Sequence, residues 1–387
     1  MTNRRLSILN IGIDRDLLVA DGESEAQRRH VLYATHLPAT LVHVVKAPAD
    51  ADERPRVVGP YLTIIPCPVV HWILFPFAAI RAGARLLRQQ HFDLIQAQEP
   101  YLCGLVGAYL SWRFKIPLVV GVFSDEIDNP VWIAERPLNR LANAVSKWVL
   151  RRAAAVRADS RAVADSLAGK GYSNAAYIPF LITHSDRLIQ PSTQANATRA
   201  RLLQGQAGPL VLAVSRLEAE KNIPLLLHAF AEVSRKFPQA MLAIAGTGRL
   251  ADGLKSEAER RTPGRVRWLG WVANSDMPAY YQAADLMVLS SNRESAARVL
   301  SESLLAGTPV LTTDTAGARE VVTDGVSGWV TPVGDHAAFA MALSDLLGDI
   351  DRLAAMGKAG REKMRACVTA ETVSQELRRL YERALAH

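Results

Sequence analysis

Glu294 and Glu302 stand eight residues apart, with Ser295, Ala296, Ala297, Arg298 and Val299 opening the stretch between them. If Ser295 caps a helix over residues 298–306 closed by Gly307, Glu294 lies in the preceding loop and Glu302 in the second helical turn. Both carboxylates then border the free amides and positive dipole end of that helix, which suit a diphosphate, while the carboxylates suit vicinal sugar hydroxyls. Two solvated glutamates flanking an ordinary helix is the competing reading of such a pair. Other groups extend the same chemistry. Arg216 and Lys221 supply two fixed cations within Ser215-Arg216-Leu217 and Glu220-Lys221-Asn222, and Gly246-Thr247-Gly248 is a glycine turn. Trp271-Val272 and Asp314-Thr315-Ala316-Gly317 follow.

The elements that must position these groups read as β-rich apolar runs alternating with helical stretches, the pattern of βαβ units and parallel sheets. Strands are predicted over 6–13, 40–45, 93–98, 117–123, 154–160 and 175–180, and again over 210–215, 241–245, 265–270, 285–289 and 309–313. Helices are predicted near 24–36, 73–90, 101–113, 135–152 and 161–169. In the second half nearly every chemically suggestive group falls just after a strand, and ligands of open α/β sheets bind at the carboxyl ends of strands. Residues 183–207 are polar, carry Pro191 and Gly205, lack an apolar period and read as an interdomain segment between a first domain (1–182) and a second (208–368).

A chain of 387 residues suits two domains, and its 49% hydrophobic and 21% charged residues are those of a globular protein. No apolar run reaches the ~18 residues of a membrane span. Leu6 to Ile13 contains Asn10 and Gly12 and reads as a buried strand rather than a signal peptide. Cys67, Cys103 and Cys367 are few and scattered, which suits a reducing, cytoplasmic setting, and the nine histidines show no metal spacing. The net charge of +7 is compatible with anionic partners, and most of the basic excess lies before residue 181. Nucleic-acid binding is not expected, because no aromatic-bearing strand platform or recognition-helix pattern accompanies the charge.

Ser290 through Val310, with Glu294, Glu302, Gly307, Pro309 and Val310, resembles the donor-site motif of glycosyltransferase family 4, whose members have the two-domain GT-B fold. Ser215-Arg216-Leu217 with Glu220-Lys221-Asn222 looks like that family's phosphate clamp, and Ala245-Gly246-Thr247-Gly248 like its second glycine turn. Trp268 to Val272 and Asp324 to Gly328 with Asp335 match in order and spacing. The resemblance covers about residues 6–340. It implies an α/β fold of two facing Rossmann-like domains, with a C-terminal helix near 370–387 packing back on the first. It further implies a hexosyltransferase that retains anomeric configuration without a metal or resident cofactor, using a UDP- or GDP-linked sugar and a glycan or lipid-linked acceptor of cell-surface polysaccharide or glycolipid synthesis. Arg216 and Lys221 would hold the diphosphate and offset leaving-group charge, Glu302 the ribose hydroxyls and Glu294 the sugar hydroxyls. The backbone of Val272 would meet the base, and Gly246, Thr247 and the amides of Ser295 to Val299 the phosphates and sugar.

The sequence departs from the family at several points. The family usually has Gly where Ala297 stands and an apolar residue where Arg298 stands; Arg298 reaches either the diphosphate or Glu302, one turn away. Only Gly22 remains of a glycine-rich loop after the first strand, where a plain helix cap is an equal reading. Phe123 replaces a frequent His, so Asp125 becomes the candidate to orient or deprotonate the acceptor, against a loop-cap role. A degenerate, non-catalytic sugar-nucleotide or partner binder is the alternative function. A nicotinamide oxidoreductase is a distant third, resting on Gly246-x-Gly248-x-x-Ala251. Asp14-Arg15-Asp16 mimics a metal-binding Asp-x-Asp but reads better as a loop. Trp72, Ile73, Leu74, Phe75 and Phe77, followed by Arg81, Arg85 and Arg88 on one helix face, predict either a weak peripheral contact with an anionic membrane or a solvated helix.

Overall fold

The computed structural model describes residues 5–19, 24–294 and 297–386. The chain forms two compact units, Met1–Thr183 with Ala370–His387, and His184–Thr369.

The first unit carries an eight-stranded sheet: β1 (Leu6–Gly12), β2 (Ala39–Ala47), β3 (Arg56–Val57), β4 (Leu62–Pro68), β5 (Leu94–Ala97), β6 (Leu118–Val122), β7 (Ala155–Ala158) and β8 (Ala175–Tyr177). The order is β3-β4-β2-β1-β5-β6-β7-β8, and every pair is parallel except β3 with β4. The helices are α1 (Glu25–His36), α2 (Phe75–Gln89), α3 (Leu102–Phe114), α4 (Pro130–Glu135), α5 (Pro137–Leu150) and α6 (Arg161–Gly169). Successive strand residues feed opposite faces: Leu9, Ile95 and Val120 pack with Phe75 and Val106, whereas Ile8, Leu94 and Val119 pack with Tyr33 and Ala34. This period of two, apolar on both sides, is what a parallel sheet covered on both faces requires.

The second unit holds β9 (Leu210–Val214), β10 (Met241–Ala245), β11 (Val266–Gly270), β12 (Leu286–Leu289), β13 (Val310–Thr313) and β14 (Gly328–Thr331), all parallel, in the order β11-β10-β9-β12-β13-β14. Its helices are α7 (Ser185–Ile189), α8 (Ala195–Leu202), α9 (Ile223–Lys236), α10 (Ala251–Arg261), α11 (Met277–Ala283), α12 (Arg298–Ala306), α13 (Ala316–Val321), α14 (His336–Leu347) and α15 (Ile350–Cys367). Helix α16 (Ala370–Leu385) then belongs to the first unit, where Val373, Leu377, Leu380 and Tyr381 are buried in the cluster that contains Tyr33 and Ile8. Each such leucine contributes about 1.5–3 kcal/mol of burial.

Several elements differ from the sequence expectation. Strand β4 lies between Pro60 and Pro68 and β14 is four residues long, so neither shows a strand period, yet both pair in full register with β2 and β13. The helix expected over 135–152 is α5, which Pro137 starts at its first turn, and a further short helix, α4, precedes it over Pro130–Glu135. Residues 184–207 are not an open linker. Gln282 accepts from Ser192 N (2.7 Å) and donates to the carbonyls of Leu188 and Gln190, while Arg199 bonds Ala283 O, Gly208 O and Asp285. Backbone groups of the segment bonded to Gln282, and the Arg199 side chain, fasten α7 and α8 to the rest of the second unit.

Helix α12 begins at Ala297 in the left-handed region (φ 40°) and ends at Gly307 (φ 85°). It is held by α15, where Gly357 lies so close that an added Cβ would stand 2.0 Å from Gly307 O. Gly357→Ala is therefore expected to destabilise by about 1–3 kcal/mol, because the obstacle is backbone. Ala297→Gly should leave stability unchanged or raised, since a left-handed alanine costs about 1–2 kcal/mol that glycine avoids. Thermal denaturation of the two variants checks both signs, and a stable Gly357→Ala or a weakened Ala297→Gly contradicts the packing described.

Candidate functional site

In the second unit the strand order reverses between β9 and β12, so the loops after these strands diverge and leave a crevice at their carboxyl ends. The loop after β10 closes onto the loop after β9. Ser215 N donates to Ala245 O (3.0 Å) and Leu217 N to Thr247 O (2.9 Å). Gly246 (φ 139°) makes this possible, because any Cβ there would lie 1.8 Å from Ser215 O. A cavity of about 280 Å³ results, lined by Ser215, Arg216, Gly246, Thr247, Trp271, Val272, Arg298, Val299 and Glu302, among others.

Glu302 is its deepest charged group, 6% exposed. Tyr281 donates its hydroxyl to Glu302 Oε2 (3.0 Å), Arg298 Nε donates to Oε1 (3.0 Å), and His184 Nε2 lies 3.7 Å from Oε1. A buried carboxylate needs such partners, and the four lone-pair sites of its two oxygens still leave room for further donors. Burial, and then the Glu302 charge, push the Tyr281 phenol well above its ordinary pKa, so it stays a proton donor in this bond. Arg298 is thus paired with Glu302, one of the two alternatives its spacing offered, while also lining the cavity.

Lys221 and Glu294 meet at the neighbouring rim. Lys221 Nζ lies 2.5 Å from Glu294 Oε1, which also accepts from Ser291 Oγ (2.8 Å). Asn222 in the left-handed region (φ 44°) turns the chain between Lys221 and α9. The loops are tied by Asn292 N to Glu220 O (2.8 Å) and by Gly317 N to Glu294 O (2.9 Å). Arg216 is 71% exposed at its side chain and pairs with Glu220 (2.7 Å).

The structure therefore brings Arg216, Gly246, Thr247, Val272, Arg298, Val299 and Glu302 to one cavity. Ala297 is buried in the turn that starts α12, and Glu294 with Lys221 forms the adjacent ion pair. Of the two glutamates only Glu302 lines the cavity. Gly22, Ser295 and Ala296 lie outside the described residues. Asp125 is exposed and accepts from Lys170 Nζ (2.9 Å) and Ser166 Oγ (2.8 Å), which tie the loop after β6 to α6. Asp14 receives Asp16 N (3.1 Å) and pairs with Arg29 (3.4 Å), as a loop after the first strand would. Sequence reasoning missed His184 and Tyr281, which lie 118 and 21 residues from Glu302. Only the fold shows that both reach it.

The family description "Glycosyl transferases group 1" matches residues 194–363, and "Glycosyl transferase 4-like domain" matches residues 26–181. The glycogen synthase of Mycobacterium tuberculosis is 27% identical over 311 residues, 79% of this chain and 73% of that protein. Among solved structures, sucrose-phosphate synthase of Thermosynechococcus elongatus superposes with a TM-score of 0.80 at 22% identity, over 99% of this chain and 100% of the other. The Anabaena protein HepE, solved with UDP and glucose, superposes with a TM-score of 0.73 at 20% identity, over 96% of this chain and 98% of its own. With two Rossmann-like units in the GT-B arrangement of elements and both halves matched, the chain belongs to the group 1 glycosyltransferases of the family 4 type, enzymes that move a hexosyl group from a nucleotide sugar.

Proposed function

We propose that the protein transfers a hexose, with retention of configuration and without a metal ion or resident cofactor, from a UDP- or GDP-linked sugar to a glycan or lipid-linked acceptor. The observation that carries this reading is the convergence of Glu302, Arg216, Gly246, Thr247 and Val272 on one cavity at the strand ends of the second unit. The bound UDP of HepE accords with a nucleoside diphosphate in such a place. Glu302 accepts the ribose hydroxyls on lone pairs that Tyr281 and Arg298 leave unused, and the backbone near Val272 meets the base. The glycine turn of Gly246 and Thr247 lets the diphosphate approach backbone. Arg216, exposed and paired with Glu220, swings onto the phosphates, and Lys221 adds a second cation from the same loop. Charge develops on the diphosphate as its bond to the anomeric carbon breaks, and two fixed cations offset that charge. Glu294, oriented by Lys221 and Ser291, accepts sugar hydroxyls. Retention follows from the family resemblance.

The membrane-surface reading gains a wider basis than α2 alone. Trp72 (42% exposed), Ile73, Leu74 and Phe77 (72%) precede the exposed Arg81, Arg85 and Arg88. Helix α3, packed against α2, exposes Tyr109 and Trp112, and α5, packed against α3, exposes Leu138, Leu141 and Trp148. Aromatic and aliphatic side chains interleaved with arginines on one helical layer suit an anionic lipid surface. Among the described residues no helix is long and apolar enough to cross a membrane.

Lys221→Ala and Glu302→Ala should each lower kcat/KM at least about a hundredfold, roughly 2.7 kcal/mol, while the circular dichroism spectrum stays native. Near-normal turnover in either variant refutes the donor-site assignment. Activity should persist in excess EDTA; dependence on added Mn²⁺ or Mg²⁺ refutes the metal-free reading. Sedimentation with anionic liposomes should fall at high salt and in the triple variant Arg81→Gln, Arg85→Gln, Arg88→Gln, each arginine contributing about 1 kcal/mol. Equal sedimentation of variant and wild type removes the membrane contact.

A further inference from the structure

The helical layer over one face of the first unit's sheet carries no acidic residue. Residues 57–92, which include α2, hold no aspartate or glutamate, and neither do 100–124, which include α3, or 136–158, which include α5. All 38 acidic residues of the chain lie outside these stretches, whereas arginines or lysines recur in each of them. The three helices form one layer: α2 packs on α3 and α3 on α5, and Ala79, Val106 and Val149 share one core cluster. An ordinary solvated surface intersperses both signs of charge, so a layer emptied of one sign is built for an anionic surface.

At one end of this layer lies a pocket of about 470 Å³, bounded by the ends of α3, α5 and α16 and by the residues leading into β6 and β7. These are the amino ends of parallel strands. Open α/β sheets receive their substrates at the opposite, carboxyl ends, so this pocket stands apart from the transfer chemistry. Its lining combines the buried Leu118 and Ala384 with Lys115, Arg151 and Arg152, and includes no carboxylate. None of the three cations forms an ion pair among the described residues, whereas Lys147, one turn before Arg151, pairs with Asp128 (3.0 Å). Arg152 is held in place: Nη1 donates to Trp148 O (3.0 Å), and the guanidinium lies 3.9 Å from the centroid of the Trp148 ring. Lys115 closes α3 in the left-handed region (φ 53°), a position that ordinarily goes to glycine. Cations at helix C-termini complement the helix dipole, which accounts for a positive residue at each helix end. It accounts neither for the missing acids along three whole helices nor for an apolar cavity between the cations. Two tryptophans flank the pocket: Trp112, next to the lining residue Ser111, is 74% exposed, and Trp148 stands out beneath Arg152.

We infer that this pocket seats the phosphodiester headgroup of an anionic bilayer lipid, with Lys115, Arg151 and Arg152 as the donors to its phosphate. Guanidinium groups match phosphate oxygens in charge and in fork geometry. The buried Leu118 and Ala384 receive the glycerol carbons next to the phosphate, and Trp112 and Trp148 take the interfacial level that tryptophan favours in membranes. A free phosphate ester would use neither the apolar lining nor the tryptophans. The inference rests on the reading of the first unit as touching an anionic membrane, and turns that diffuse attraction into a site for one class of lipid.

Calorimetric titration of the full chain with dihexanoyl-phosphatidylglycerol below its micellar concentration, against dihexanoyl-phosphatidylcholine and glycerol 3-phosphate, tests the inference. The phosphatidylglycerol should bind at least about tenfold more tightly than either comparator. The pocket variant Lys115→Gln, Arg151→Gln, Arg152→Gln should weaken that binding at least about tenfold, and so should Lys115→Glu alone, which keeps the contact of Arg152 with Trp148. The variant Arg81→Gln, Arg85→Gln, Arg88→Gln removes the same charge from α2 and should leave binding of the monomeric lipid within about threefold, because those arginines act only on an extended surface. Sedimentation of the same samples with phosphatidylglycerol vesicles reports the membrane contact separately: wild type that stays in solution refutes that contact, while the monomeric lipid decides the pocket. Glycerol 3-phosphate or phosphatidylcholine binding as tightly as phosphatidylglycerol, no binding of phosphatidylglycerol, unchanged binding in both pocket variants, or an equal loss in the α2 variant each overturns the assignment.

Discussion

The second unit is organised around the burial of one carboxylate. Glu302 is brought out of water on α12 and is stable there only because three elements aim polar groups at it: Tyr281 from α11, Arg298 from its own helix one turn earlier, and His184 just before α7. Removing one partner of a buried charge strands the other, so the positions of these elements are mutually constrained. Helix α7 is held by the Gln282 side chain, and α12 is held from behind by α15 at Gly357 and Gly307. A carboxylate fixed in this way has a defined direction before any ligand arrives, and preorganised groups serve recognition without further ordering cost.

The rim around Glu302 is assembled by backbone rather than by side chains. Gly246 and Gly248 let the loops after β9 and β10 share hydrogen bonds, and the amide of Asn292 fastens the loop after β12 to Glu220. Long charged side chains then stand on a rigid base. Arg216 remains exposed, whereas the Lys221–Glu294 pair is largely enclosed, so the first is the adaptable cation and the second the positioned one.

The alternation of strands and helices was legible in the sequence because both sheets are buried on two faces and their strands are apolar runs. Strand β4 was hidden by its prolines and β14 by its brevity, and α7 and α8 were hidden because they are short and their buried apolar residues, Leu188 and Leu202, are too few to set a helical period. Most residues of the cavity in the second unit were legible by their place after strands, and the two-glutamate spacing correctly located a helix over Arg298–Ala306. The same spacing could not tell that Glu302 lines the cavity while Glu294 turns to Lys221, since that depends on the left-handed turn at Ala297. Asp125 drew attention because it follows a strand end, and its partners Lys170 and Ser166 lie 45 and 41 residues away. Long-range partners of this kind leave no periodic signal.

The two units solve the problem of a buried charge in opposite ways. Around Glu302 the chain satisfies the carboxylate from within, so a ligand there gains by adding hydrogen bonds to lone pairs still open and loses nothing if it leaves. Around Arg157, buried in the first unit, the phenols of Tyr33 and Tyr381 and the Asp159 carboxylate attract the guanidinium, but its Nε has no hydrogen-bond partner among the described residues. That desolvation cost is borne by the folded protein.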